Sequence, residues 1–340
     1  MHYLITGHTG FKGAWMTVLL KELGHTVSGL SLDPLKGALF EIADLAAHLE
    51  HDLRVDIRDA EAVANAFQLI KPDVVVHLAA QPLVLASYED PIGTYETNVM
   101  GTLHVLDAIS KSSSVLASLI ITTDKVYRNV NRVEGYREGE PLGGDDPYSS
   151  SKAMADILSQ SWAKSFPGAP IAIARAGNVI GGGDVSPDRL LPDLLKAIRS
   201  GSTIELRNPS AVRPWQHVLD CVYGYYLLIQ HLLHGGGLGE WNFGPGEESF
   251  VEVSKVVTDA QEHLGLAQAW RQVEATRHEA QLLALDSSKA MSALNWNNVL
   301  KYPQSLYWTV DWSETSSTGR SPYAVTQSQI AEFLKLTSQN

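Results

Sequence analysis

Residues 121–129 read ITTDKVYRN, and this run sets a hydroxyl, an acid and a base side by side as Thr123, Asp124 and Lys125. Such a trio at the end of an apolar run suits proton transfer better than it suits a turn. Further on, Tyr148 and Lys152 lie four residues apart in PYSSSK, which puts both on one face of a helix. A tyrosine with a pKa of about 10 is a poor base at neutral pH. A neighbouring ammonium favours the phenolate. The phenolate can then take the proton of a substrate hydroxyl while a hydride leaves the same carbon.

The hydride needs an acceptor, and GHTGFKG at 7–13 offers a place to hold one. Gly7, Gly10 and Gly13 follow a strand-like run and open a helical one. Without β-carbons the loop can turn sharply, let a pyrophosphate approach the backbone, and expose the first helical N–H groups to it. Thr9, Phe11 and Lys12 belong to the same loop. An acid for the adenosine ribose is expected near the end of the second strand, at Ser31-Leu32-Asp33. No arginine occupies 30–35 to welcome a 2′-phosphate, although Lys36 is close, so NAD is favoured over NADP. Asp56 can accept from an adenine amino group or cap the helix that follows.

Positioning these groups requires an alternation of strands and helices. The strand-like runs are YLIT, TVSGLSL, LRVD, DVVVHLAA, LASLIITT and PIAIARA, and amphipathic segments at 11–23, 59–70, roughly 91–111 and 147–166 separate most of them. Near-continuous apolar strands alternating with helices predict an α/β fold, a doubly wound parallel sheet covered on both faces. Residues 1–175 are expected to form this Rossmann domain, with the apolar stretch 213–233 packing back on it. Residues 176–340 are expected to form mainly a smaller, mixed α/β substrate-binding region that includes TIEL and EWNF. The stretch ETSSTGRS at 314–321 reads as a surface loop before a last helix.

The 340 residues are 44% hydrophobic and carry a net charge of −12, which argues against a nucleic-acid partner. Cys221 is the single cysteine, so an internal disulfide is excluded and a reducing, cytoplasmic setting is expected. Its apolar neighbours make it a core thiol. The longest apolar runs are too short to cross a bilayer, and no leader-like stretch opens the chain. The histidines show no metal-ligand spacing, so no metal is expected. Trp215 and His217 read as packing residues.

The motifs GHTGFKG, DVVVHLAAQ, TNVMGT, TTDKVY, PYSSSK and RAGNVIGGGD, in this order, resemble those of the extended short-chain dehydrogenase/reductases over nearly the whole chain. The resemblance implies NAD, contacted also by Ile57, Leu78, Ala79 and Ala80, with Lys152 reaching the nicotinamide ribose. It places Thr123 on the substrate hydroxyl beside Tyr148. An acid–base pair after that threonine is similar to the nucleotide-sugar 4,6-dehydratases of the family, and its Asp-Lys form to those acting on CDP-glucose. On that likeness Asp124 protonates the departing C6 hydroxyl. Lys125 takes the C5 proton if it is neutral, or steadies the enolate if it is charged.

The resemblance also implies sugar contacts from Gln81, Ser87 and Tyr88. It implies nucleotide contacts from Asn178, Arg189, Leu191 and Arg213, the last suited to a diphosphate by its planar fork. Two positions depart from the pattern, Leu85 where an arginine is usual and Val185 where a tryptophan is usual. A homodimer through helices 91–111 and 147–166 is implied too. The competing readings are an epimerase or simple oxidoreductase, against which Asp124-Lys125 argues, and a non-catalytic dinucleotide sensor, against which the intact Thr123, Tyr148 and Lys152 argue.

Overall fold

A computed structural model describes residues 1–266, 270–273 and 283–339. Six strands alternate with helices through the first half of the chain. They are β1 (His2–Thr6), β2 (Thr26–Ser31), β3 (Asp52–Arg54), β4 (Val74–His77), β5 (Ala117–Ile121) and β6 (Ile171–Ala176). A seventh strand, Gly239–Phe243, pairs with β6 at the edge of the same sheet. The order across the sheet is 239–243, β6, β5, β4, β1, β2, β3, with every pairing parallel. EWNF therefore belongs to the central sheet, although it lies far along the chain.

Most of the strands are apolar because both faces are covered; β3, Asp52–Arg54 at the sheet edge, is only partly buried. Successive side chains alternate between faces. Leu4, Leu30, Val75, Ile120 and Ile173 join one cluster with Val63, Phe67, Val105 and Ile109 from helices Ala60–Ile70 and Thr102–Lys111. Tyr3, Ile5, Val74, Val76, Leu119 and Ala174 join the other, with α1 (Phe11–Glu22) and helix Val218–Leu233. The 213–233 stretch thus contributes a helix packed on α1, β5 and β6. Cys221 lies on it, fully buried, and burial pushes its thiol up.

Three local expectations are corrected. β3 stops at Arg54, and Asp56 caps no helix: Asp59 caps Ala60–Ile70, its carboxylate accepting from the Ala62 N–H at 2.9 Å. Residues 314–317 continue the helix Gln304–Ser317, which buries Leu306, Val310 and Trp312 and ends with Ser and Thr hydroxyls bonded back to its own carbonyls. The stretch 91–111 is divided into a helix at Pro91–Tyr95, a π-helical turn at Glu96–Gly101 and a helix at Thr102–Lys111. Among the described residues, no helix is long and apolar enough to cross a membrane.

Candidate active site

A cleft of about 1500 Å³ runs along the carboxyl ends of the strands, as expected for an open α/β sheet. The glycine loop forms one end of it. Gly7 has a φ of +76°, and a β-carbon there would stand 2.7 Å from the Ala79 nitrogen. A β-carbon at Gly13 would stand 2.2 Å from the Gly7 carbonyl oxygen. Gly10 caps α1 without a side chain, and the first turn carries no acid. The N–H groups at this end therefore face the cleft with no competing carboxylate, and the cradle fits a dinucleotide pyrophosphate.

Thr9, Phe11, Lys12, Ser31, Asp56, Ile57, Leu78, Ala79 and Ala80 all line this end. β2 stops at Ser31, whose hydroxyl meets that of Thr9 at 2.7 Å. Asp33 lines the cleft as well and accepts from Arg54 at 3.1 Å. Asp56 is gripped by Arg58, whose guanidinium holds its carboxyl below the usual range.

Strand β5 delivers the opening trio. Thr123 caps the short turn Asp124–Val126, accepting from the Lys125 N–H at 3.4 Å and donating to the Asp124 carboxylate at 2.8 Å. Asp124 is buried, and burial pushes its carboxyl up against the pull of Lys125, Thr123 and Lys12. A carboxyl biased toward its neutral form has a proton to give. Lys125 also lines the cleft.

Across from this turn, helix Pro147–Ser165 begins with Asp146 as its cap, the carboxylate accepting from the Ser149 N–H at 2.8 Å. That cap and Pro147 aim Tyr148 and Lys152 into the cleft. Burial pushes the Tyr148 phenol up to about 12, against the lowering expected from a neighbouring ammonium, and Thr123 and Arg189 pull it back. Lys152 is buried, donates to the Ile121 carbonyl at 2.8 Å, and has its pKa brought down to about 8 by burial. Thr123, Asp124, Tyr148 and Lys152 are thus one cluster.

The sugar and nucleotide candidates divide. Gln81 spends its side chain on the loop, donating to the Leu83 carbonyl at 3.1 Å and Thr94 at 2.9 Å while accepting from the Leu83 N–H at 2.6 Å. Ser87 is fully buried, donating to the Val84 carbonyl at 2.7 Å and accepting from the Tyr148 N–H at 3.2 Å. Both shape the wall rather than line the cleft. Asn178, Arg189, Leu191 and Arg213 do line it, together with Leu85, Tyr88 and Val185. Sequence reasoning missed Arg128 and Arg207, which add positive charge along the same cleft. Arg128 lies near the end of the ITTDKVYRN run, just after the catalytic turn, whereas Arg207 had only its chemical type as a signal. His217 is buried with its pKa down at about 3, and the Trp215 indole donates to the Val251 carbonyl at 3.0 Å, which suits packing roles for both. Among the described residues no group of side chains could hold a metal ion.

Known proteins share this arrangement. Residues 3–244 match the NAD dependent epimerase/dehydratase family. The chain is 41% identical to a CDP-glucose 4,6-dehydratase of Salmonella typhimurium, over 98% of this chain and 96% of that one. It is 27% identical to a dTDP-glucose 4,6-dehydratase of Xanthomonas campestris, over 93% of this chain and 94% of that one. A UDP-glucose 4-epimerase of Thermus thermophilus, solved in complex with NAD, superposes with a TM-score of 0.81 at 25% identity, covering 92% of this chain and 98% of that one. The family match spans most of the chain and ends just past the seventh strand, so cradle, catalytic turn and Tyr148 helix all fall inside it. The chain belongs to the NAD dependent epimerase/dehydratase family.

Proposed function

We propose that this protein is an NAD-dependent 4,6-dehydratase of a nucleotide-activated hexose, with CDP-glucose as substrate and the 4-keto-6-deoxy sugar nucleotide as product. The observation that carries the reading is Asp124, a buried carboxyl beside the Thr123–Tyr148 pair. An epimerase or simple oxidoreductase has no use for a second acid there. The 41% identity to a CDP-glucose 4,6-dehydratase supports both the reaction and the nucleotide.

In this reading residues 1–175 hold the cofactor, with the helix of 213–233 packed on them, and residues 176–340 mainly hold the substrate. When bound in the glycine cradle, NAD supplies the acceptor for the C4 hydride and the donor that returns it to C6. Tyr148 Oη takes the C4 hydroxyl proton, and the Thr123 hydroxyl fixes that oxygen. The C4 ketone acidifies the C5 proton, which a neutral Lys125 takes and gives back to C5 as the hydride adds at C6; a charged Lys125 instead steadies the enolate while a water takes and returns that proton. Asp124 protonates the C6 oxygen as it leaves as water. Arg189 and Arg213 hold the diphosphate in the cleft.

Product analysis with catalytic NAD and CDP-, dTDP-, UDP- or GDP-glucose tests the reading. A 4-keto-6-deoxy product from CDP-glucose alone is expected. The same product from another nucleotide would retain the chemistry and refute the nucleotide. No dehydration of any of the four would refute the reaction on glucose.

The reading also includes a homodimer and a cytoplasmic setting, in keeping with a single cysteine. Ile92, Met100, Met154 and Ile157 are all exposed on the helical segments 91–111 and 147–165, and such apolar side chains suit a shared interface. Sedimentation at micromolar concentration is expected to give twice the chain mass of 37.1 kDa. A monomer at that concentration would overturn the dimer.

A further inference from the structure

Behind the catalytic turn lies a polar network that the reaction scheme does not use. Asp156 and Arg175 are both fully buried and meet through two bonds, Arg175 Nε to Oδ2 at 2.8 Å and Nη2 to Oδ1 at 2.7 Å. The Thr122 hydroxyl donates to the same carboxylate at 2.9 Å. The other edge of Arg175 donates to the Tyr127 hydroxyl at 2.8 Å and the Glu138 carbonyl at 2.9 Å. Tyr127 in turn donates to Asn242 at 2.8 Å. Thr122 directly precedes Thr123, and Tyr127 closes the turn that presents Asp124 and Lys125. Asp156 also lies one helical turn beyond Lys152, on the same face. The network therefore touches both catalytic segments from behind.

We propose that Asp156, clamped by Arg175 and Thr122, is a positioning residue for the reaction: it holds the strand end that carries the catalytic turn and keeps Lys152 charged. The second role rests on the dehydratase reading, since it matters only if Lys152 serves Tyr148. The titratable groups whose charge acts on Lys152 are Asp156 on its own helix, Lys12 from the glycine loop and His77 from β4. Burial holds His77 neutral, with its pKa down at about 3. Asp156 and Lys12 pull on Lys152 in opposite directions, with the Arg175 guanidinium paired to Asp156 on its far side. Burial brings Lys152 down to about 8, and the Asp156 carboxylate one helical turn away on the same face opposes that shift. Asparagine at 156 keeps the shape and an oxygen for Arg175 or Thr122 while removing the charge.

The experiment compares the wild-type protein with Asp156→Asn in two measurements. First, the alkaline limb of kcat/KM for the nucleotide sugar is expected to move to lower pH in the variant. Second, urea midpoints are measured between pH 6 and 8.5 without cofactor or substrate. A lysine whose folded pKa lies below its unfolded value binds fewer protons when folded, so stability rises with pH above the folded pKa. The variant is less stable overall, but its Lys152 discharges earlier, so the gap to wild type is expected to narrow as pH rises. A constant gap and an unmoved limb would reduce Asp156 to a structural ion pair and overturn the proposal. If the wild type dehydrates no nucleotide sugar, the dehydratase reading fails by itself and the urea measurement still decides Asp156. If Asp156→Asn does not fold, Lys12→Met gives the opposite test at saturating NAD. It removes the repelling charge, so limb and stability rise should move to higher pH, and no shift or a downward shift would overturn the proposal.

Discussion

Replacing Asp124 with asparagine is expected to lower formation of the 4-keto-6-deoxy product by about 10²- to 10⁴-fold, the usual worth of a positioned acid, while oxidation at C4 continues. The substitution keeps the shape and an oxygen that can accept from Thr123, whose bond to Asp124 is 2.8 Å long. It removes the ionisable carboxyl, whose pKa burial pushes up. Product quantified by chromatography measures the elimination, and a transient of reduced cofactor absorbance measures the oxidation. An equal loss of both would mean that Asp124 serves mainly to align Thr123 and Tyr148. An unchanged elimination rate would assign the acid to another group.

The largest effect on stability is expected at Arg175. Arg175→Met should cost about 3–5 kcal/mol, because it strands the Asp156 carboxylate in the interior. Both side chains are wholly inaccessible to solvent, and the guanidinium makes four hydrogen bonds between 2.7 and 2.9 Å. Removing both charges together, as Asp156→Leu/Arg175→Met, should recover much of that loss, since a buried pair replaced by apolar groups is often near neutral in stability. Urea unfolding with an unchanged m-value checks the first figure. A cost below about 1 kcal/mol would mean that water reaches the pair and shares its burden.

How much of this was legible in the sequence follows from the range of each signal. The glycine loop and the Tyr148–Lys152 spacing are local, so residue order alone placed them in a strand–loop–helix unit and on one helical face. Most of the first six strands announced themselves as apolar runs because both their faces are covered, whereas β3 lies at the sheet edge and is only partly buried. The seventh did not: EWNF carries no mark of its partner, and only the fold pairs Trp241 with Ala174. Gln81 and Ser87 sat after a strand end, where polar side chains are expected to meet ligand, yet loop geometry absorbed their hydrogen bonds. Asp56 lost its capping role because Asp59 stands directly before the helix. The Asp156–Arg175 pair spans two elements. Its one local clue was the four-residue step from Lys152 to Asp156.

The position of the seventh strand bears on how the protein is made. The segments that line the nucleotide end of the cleft leave the sheet after β6, and the chain then returns to add Gly239–Phe243 beside it. Helix Pro322–Thr337, near the other terminus, packs on α1 directly after the glycine loop. The surfaces that bury the first helix, Val218–Leu233 and Pro322–Thr337, are therefore synthesised long after it. Such long-range closure gives a high contact order and slow folding. A nascent chain released at residue 175 would expose the β6 edge and an uncovered α1, the kind of unpaired strand that invites association with other chains. The face of α1 that meets the last helix is covered only after residues 322–337 have been made, so assembly of the region behind the glycine loop waits on segments far downstream of it.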